Sequence, residues 1–158
     1  MPPPITMMTM KQSNIIIRHL AASDADLADI ATQLNAADSE VAENFTAASL
    51  HRFLSDPSRF YLIATLDGQL AGATHGYVYP HPAGPVYVYV DEVDTVAAYR
   101  RRGVAKAMMA ECLAIGRAVG ADEVWLGADD GNEPARLLYE GLHPSSIEPG
   151  RIYTWKIS

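Results

Sequence analysis

The chain has 158 residues, 49% of them hydrophobic and 20% charged, with a formal net charge of −7. That length carries one domain with a real core and leaves no comfortable room for two. The acidic balance argues against a nucleic-acid partner, whose phosphates require a broad basic surface, and it permits a cationic substrate. The single cysteine, Cys112, excludes an internal disulfide and any Cys-x-x-Cys metal or redox motif. No apolar run approaches a membrane span, and Met1-Pro2-Pro3-Pro4 is not the start of a signal peptide, so a cytoplasmic protein without membrane contact is the simplest expectation.

Residues 1–13, rich in Pro and Met, are expected to be a poorly ordered tail, with one domain over residues 14–158. The β-branched run Ile15-Ile16-Ile17 predicts a strand. Ser23-Asp24-Ala25-Asp26 then reads as an N-cap with an acid three residues on, opening a helix of about a dozen residues that ends near Ala36. A short helix is predicted over 46–54 and is stopped by Asp56-Pro57. Strands over 60–66 and 70–79 are joined by Asp67-Gly68, a strong hairpin signal. The alternating Val86-Tyr87-Val88-Tyr89-Val90 predicts a further strand, expected at the centre of the sheet. Over 103–119, Ala105, Met108, Cys112, Ile115 and Val119 follow the spacing of one buried helix face, closed by Gly120. Cys112 on that face reads as a core residue. A strand at 124–126, a helix with Pro134 in its first turn and a terminal strand over 151–157 complete the order β-α-α-β-β-β-α-β-α-β, an α/β fold with a mixed sheet and helices on both faces.

Two segments carry chemistry. Val93-Asp94-Thr95-Val96 is followed by Arg100-Arg101-Arg102-Gly103-Val104-Ala105 at a helix start, where backbone N–H groups and arginines suit a pyrophosphate. Such basic runs are ordinarily solvated, but three adjacent arginines stand out in so acidic a chain. Downstream lies Asn132-x-x-Ala135-x-x-x-Tyr139. The missing G-x-x-x-x-G-K-[ST] and G-x-G-x-x-G exclude a P-loop and a dinucleotide fold. Arg100-x-x-Gly103-x-Ala105 resembles the Q/R-x-x-G-x-G/A signature of the GNAT acetyltransferases, and the asparagine and tyrosine resemble that family's second landmark. The resemblance implies the GNAT fold, acetyl-CoA as cosubstrate and no metal. It implies acetyl-CoA contacts at Val93, Asp94, Thr95, Arg100, Arg101, Arg102, Gly103, Val104, Ala105, Asn132 and Ala135. Among these, Arg100 holds the motif position, and backbone N–H groups near Val93 and Thr95 face the thioester.

Acetyl transfer to an amine requires a group that takes the ammonium proton, a donor to the carbonyl oxygen and an acid for the departing thiolate. Asp91, Glu92 and Asp94 end the fourth strand, and strict alternation puts Glu92 and Asp94 on one face and Asp91 on the other. A bulge there would change which of them share a face. Glu92 is the first candidate base because its spacing from Gly103 matches the family's acidic residue, and Asp94 is the second. The competing assignment for both is a solvated strand end. Tyr139 corresponds to the tyrosine that the family places beside the CoA sulfur, against the ordinary alternative of a packed helix tyrosine. The five histidines show no metal spacing.

Tyr77-Val78-Tyr79-Pro80, the tyrosine-rich strand that follows and Ala128-Asp129-Asp130-Gly131-Asn132-Glu133-Pro134-Ala135 resemble the small GNAT-type aminoglycoside 3-N-acetyltransferases. That resemblance implies an antibiotic site lined by Tyr79, Glu92, Asp129, Asp130 and Glu133, acids that complement several ammonium groups. Asp129 and Asp130 serve equally well as a turn before a helix. Asp38, Glu40 and Glu43 form another acidic loop and are expected to be solvated. Where the family commonly has Leu-Gly-Phe, this chain has Leu142-His143-Pro144, which puts the last turn and the dimer edge in doubt. The leading expectation is direct acetyl transfer to the 3-amino group of an aminoglycoside, by a possible homodimer. The alternatives are a GNAT enzyme for another amine, such as a polyamine, an amino acid derivative or a protein, and a non-catalytic acyl-CoA-binding module.

Overall fold

The computed structural model describes residues 14–37 and 43–157. The tail expected over 1–13 lies outside the described residues, as do Asp38 and Glu40 of the acidic loop. The chain divides into two compact units, the first ending at Gly127 and the second beginning at Ala128. No described helix is long and apolar enough to cross a membrane.

The first unit is built on strands β1 (Ile15–His19), β2 (Arg59–Leu66), β3 (Gln69–Pro80), β4 (Val86–Thr95) and β5 (Glu123–Trp125), in the order β1-β2-β3-β4-β5. The first four pair antiparallel, and β5 joins β4 in parallel. The middle strand is therefore β3, not β4 as the alternating valines and tyrosines suggested. Asp67 and Gly68 both adopt positive φ, 51° and 83°, the conformation that a tight two-residue hairpin requires of both its central residues.

Helices α1 (Leu27–Ala36) and α2 (Ala47–Leu54) cover one face of the sheet. Leu27, Ile30, Ala31 and Leu34 of α1 and Leu50 of α2 pack with Tyr61 and Ile63 of β2. The first helix begins three residues later than its sequence signal because the aspartates are used elsewhere. Arg18 of β1 grips Asp26 through two bonds of 2.7 and 2.8 Å and reaches Asp24 at 3.0 Å. The Asp24 carboxylate also accepts the Ala21 N–H. Asp26, beside the Arg18 guanidinium, is held below the usual carboxylate range. The second helix starts as its sequence implies, with Thr46 and Ser49 exchanging side-chain-to-backbone bonds in a capping box.

Helix α3 (Val104–Ala118) covers the opposite face and leads from β4 to β5. Val104 and Met108 pack with Ala64, Leu66 and Ala71, and Val93 lies against the same cluster. The buried positions are Val104, Met108, Met109, Cys112 and Gly116. The expected stripe is thus rotated: Met108 and Cys112 are kept, Ala105 and Ile115 are half-buried, and Val119, just past the helix, is 44% exposed. Gly116 explains the shift, since any Cβ there would run into the Val124 side chain of β5. The helix presses its backbone on the strand at that point. Burial pushes the Cys112 thiol up to about 11, which suits a core residue rather than a nucleophile.

The second unit holds α4 (Glu133–Glu140) as its one regular element among the described residues. The strand expected over 151–157 is absent, although the alternation is there; a strand needs a neighbour to share its hydrogen bonds, and this unit offers none.

Gly116→Ala is expected to destabilise the fold by about 1–3 kcal/mol through overpacking. The urea midpoint should fall, and Val124→Ala in the same chain should restore part of it. An unchanged midpoint in the single variant would mean that β5 yields without cost.

Candidate functional site

The acidic end of β4 is shaped by one irregularity. Tyr77 pairs with Tyr89 and Gly76 with Val90, but His75 pairs with Glu92, so Asp91 is an extra residue in the ladder. Before the bulge, Val88 and Val90 point into the core and are essentially fully buried. Continued alternation would send Glu92 and Asp94 the same way. The bulge instead turns both to the α1–α2 face, in cross-strand rows with His75 and Ala73. Asp91, which alternation had placed on the other side, hydrogen-bonds His75 Nε2 at 3.1 Å and the Tyr89 hydroxyl at 3.2 Å. All three carboxylates are therefore gathered on one side of the sheet. The buried Thr74 hydroxyl donates to the Glu92 carbonyl at 2.6 Å and pins the irregular stretch.

Glu92 is half-buried. Burial, then the charges of Asp94 and Asp91, push its carboxyl above the ordinary value, while a hydrogen bond from Glu43 opposes them. Glu43, expected to be merely solvated, thus stands against Glu92. Its carboxyl is also raised, by burial first and then by Glu92, Asp94 and Asp91, with His75 opposing. Although Glu43 is an exposed residue overall, the segment that carries it is fixed. Two residues on, Phe45 is clamped by Asn35 through bonds of 2.7 and 2.8 Å and sets its ring edge-on to Tyr61.

Aromatic rings line the same face. Tyr61 stacks on His75 with centroids 5.5 Å apart, and Phe53 meets both edge-on. Further along, Tyr77 stacks on Tyr89, Tyr89 meets Trp125 at 4.4 Å, and the Trp125 indole donates to the Tyr79 hydroxyl at 2.7 Å. Tyr79 thus shares the face with Glu92 four positions along β3 from His75. Rings of this kind offer flat apolar surface and π faces to a cation or a sugar ring.

On the other side of Asp94, the chain passes through a short 3₁₀ turn (Ala97–Tyr99) into the arginine run. Arg101 and Gly103 take positive φ, 61° and 85°. Gly103, the N-cap of α3, brings no side chain to satisfy the leading N–H groups of the helix. Those groups stand next to exposed Arg100, Arg101 and Arg102, and N–H donors beside cationic side chains are the chemistry that a pyrophosphate requires, so the residues present fit one. The Arg102 guanidinium lies 6.0 Å from the Tyr99 ring. Of the remaining residues in this segment, Val104 is buried, and Val93, Thr95 and Ala105 are half-buried. The β4–β5 ladder covers only Tyr87, Tyr89 and the residue between them, so beyond Tyr89 that edge of β4 has no ladder partner among the described residues. Backbone groups there are open to an extended ligand.

The second unit carries the other expected residues. The Asn132 side chain accepts the Ala135 N–H at 3.2 Å and so serves as the N-cap of α4, with Glu133 and Pro134 in the first turn. Asp129 and Asp130 precede it, both exposed, and the Asp130 carbonyl accepts a bond from Arg136 at 3.2 Å. Tyr139 is half-buried in the last turn. Within the first unit, the structure brings together Glu92, Asp94 and Tyr79 on one face and Arg100 to Ala105 in one loop. Sequence reasoning missed Glu43, Tyr61 and Trp125, whose roles depend on cross-strand neighbours.

Solved structures share this fold. An aminoglycoside acetyltransferase, meta-AAC0020, from an uncultured soil metagenomic sample superposes with a TM-score of 0.79 at 18% identity, over 91% of this chain and 97% of that one. The aminoglycoside N-acetyltransferase AAC(6′)-Iy in complex with CoA gives 0.72 at 18% identity, over 94% and 99%. The ribosomal-protein-alanine N-acetyltransferase from Brucella melitensis gives 0.67 at 22% identity, over 89% and 99%. At these identities the likeness shows the fold alone. Among curated proteins, none matches in sequence. The profile of the acetyltransferase (GNAT) family, however, matches residues 26–143, well over half of the chain. With that match and this fold, the chain belongs to the GNAT family of acetyltransferases and is an acetyl-CoA-dependent N-acetyltransferase.

Proposed function

We propose that the acceptor is an amine of a polycationic small molecule, and that the 3-amino group of an aminoglycoside is the preferred one. The observation that carries this reading is the bulge at Asp91, which sets three carboxylates beside a row of aromatic rings on one sheet face. A ligand bearing several ammonium groups on saturated rings matches both features, by charge and by apolar contact. Solved neighbours named as aminoglycoside acetyltransferases, one of them in complex with sisomicin, are consistent with it.

In this reading acetyl-CoA supplies the activated acetyl group as a thioester. The arginine loop holds the pyrophosphate through the leading N–H groups of α3, with Val93, Asp94 and Thr95 along the open edge of β4 and Asn132 and Ala135 as further contacts. Glu92 takes one proton from the bound ammonium, and its raised carboxyl is better matched to that task near neutral pH than an ordinary glutamate. The freed nitrogen bonds to the carbonyl carbon as the C–S bond breaks, Tyr139 gives a proton to the departing sulfur, and the second proton that the nitrogen sheds on becoming an amide restores the Tyr139 hydroxyl by way of solvent. Asp94 is the alternative base on the same face, and Asp129, Asp130 and Glu133 supply further negative charge to the antibiotic.

Three outcomes test this. Thiol release from acetyl-CoA should be rapid with gentamicin and sisomicin and slow with kanamycin, spermidine and a lysine peptide; turnover confined to the peptide or to spermidine would replace the aminoglycoside, and CoA binding without any turnover would point to a non-catalytic module. Glu92→Gln should lower kcat/KM by roughly 10²–10⁴-fold, the usual worth of a general base. Tyr139→Phe should lower kcat while leaving the Kd for acetyl-CoA unchanged, and Arg100→Ala should do the reverse; equal effects on both constants in either variant would remove the assigned role.

A further inference from the structure

We infer that Trp125 is a specificity-determining residue of the acceptor site: its indole face, with Tyr89 beside it, is the floor of a subsite for a second saturated amino-sugar ring, next to the ring whose amine meets Glu92. The inference rests on the reading of the acceptor as an aminoglycoside and deepens it, because a second ring is then selected along with the reacting amine.

Alternation along β5 decides where Trp125 stands. Val124 turns to α3, where it lies against Gly116, so Trp125 turns to the opposite face of the sheet, the one that carries Glu92. Tyr89 of β4 pairs directly with Trp125, and Tyr77 of β3 pairs with Tyr89, so three rings form one row across three strands. Phe53 of α2 closes one end of that row, edge-on to Tyr77 at 5.8 Å. At the other end Trp125 is 47% exposed, whereas every other described Phe and Tyr of the first unit is buried or half-buried. The row is covered at β3 and open at β5.

The open ring is held in place from two sides. Its indole N–H donates to the Tyr79 hydroxyl at 2.7 Å, and the ring packs on Tyr89 with centroids 4.4 Å apart and planes tilted by 32°. With the N–H already satisfied, the exposed face offers only carbon and π-electron surface. A face fixed beforehand receives the C–H side of a saturated ring with little further loss of side-chain freedom.

Charge selects among the occupants that such a surface could take. The Tyr89 side chain that flanks the indole ends in a hydroxyl that donates to Asp91 Oδ1 at 3.2 Å, and His75 Nε2 lies 3.1 Å from Oδ2 of the same carboxylate. Asp91 is thereby oriented through both oxygens, and its side chain is 37% exposed. One tyrosine side chain thus separates an oriented carboxylate from an open indole. An apolar peptide or lipid segment laid on the row would desolvate that carboxylate without pairing it. A saturated ring that bears an ammonium group suits both, with its C–H face on the indole and its cation at Asp91. Asp91 adjoins Glu92 in the chain, so the ring held here is the neighbour of the one that reacts.

One measurement on the reaction and one on binding alone test this. The wild-type kcat/KM for gentamicin should exceed that for 2-deoxystreptamine, the aminocyclitol without its sugars, by roughly a hundredfold. In Trp125→Ala that preference should fall roughly tenfold, through KM for gentamicin, with an unchanged Kd for acetyl-CoA as the check that the variant is folded. Trp125→Phe keeps a flat ring and should keep most of the preference. A loss shared equally by the two acceptors, or a preference that Trp125→Ala leaves intact, would overturn the inference even with aminoglycoside acetylation confirmed. For binding, glucosamine, a single amino-sugar ring, is titrated with the protein and followed by proton NMR. Its ring C–H signals should move upfield, as protons above an aromatic face do, and the shift should vanish in Trp125→Ala and persist in Trp155→Phe. No shift with the wild-type protein, or an equal shift with Trp125→Ala, removes the subsite. Upfield shifts in a lysine peptide and none in glucosamine would assign the indole to a peptide instead. This second measurement does not require gentamicin to be acetylated: an intact shift without gentamicin turnover would discard the antibiotic and keep the sugar-ring subsite.

Discussion

One extra residue in the β3–β4 ladder sets the electrostatics of the molecule. Asp91 has no partner of its own across the ladder, and from that point the side chains of β4 change faces. In a regular strand Glu92 and Asp94 would follow Val88 and Val90 under α3, where an unpaired ionised carboxylate costs several kcal/mol. The bulge avoids that cost and converts a core strand into the wall of an acidic site within two residues. It is secured from both sides: the Thr74 hydroxyl bonds the Glu92 carbonyl, and Gly76 lets the Phe60 ring and the Tyr89 carbonyl approach where any Cβ would collide with them.

The same strand links two regions of opposite sign. Glu92 and Gly103 are separated by only ten residues, yet one lies among carboxylates and the other opens a helix among three arginines. A chain of net charge −7 has few cations to spend, and the run at 100–102 holds a quarter of its twelve lysines and arginines. Concentrating them at uncapped N–H groups favours an anionic ligand there. The crowded acids at the other end favour a cation. A reaction between a CoA thioester and a charged amine needs both, held apart along one strand.

Crowding of like charge has a stability side. Carboxyls whose neighbours raise their affinity for protons oppose folding when they are ionised, and the aromatic packing of Phe45, Phe53, Tyr61 and His75 behind them is part of what keeps the arrangement in place. In the proposed function that unfavourable field is the reason the site prefers a polycation over water. Rigid rings on a sheet are well suited to hold it, since they lose little side-chain entropy when a ligand arrives.

The sequence by itself determined the local elements: Thr46 and Ser49 announce their own capping box, Asp67-Gly68 its hairpin, Pro134 its helix turn and Arg100 to Ala105 a basic helix start, because each acts through bonds within a few residues. It also singled out Glu92 and Asp94 and allowed that a bulge would change their facing. Position across strands was decided only by tertiary structure. That Asp91 joins Glu92, that Glu43 reaches it from the segment between the first two helices, that β3 is central and that the stripe of α3 turns toward Gly116 all depend on cross-strand register and close packing. The run at 151–157 makes the same point in reverse, since its alternation is a strand signal and yet, without a neighbouring ladder in its unit, no strand forms. Caps and turns are satisfied by residues nearby in the chain, whereas a strand, a bulge or a cluster of carboxyls is completed by groups far away in sequence, which no local pattern can name.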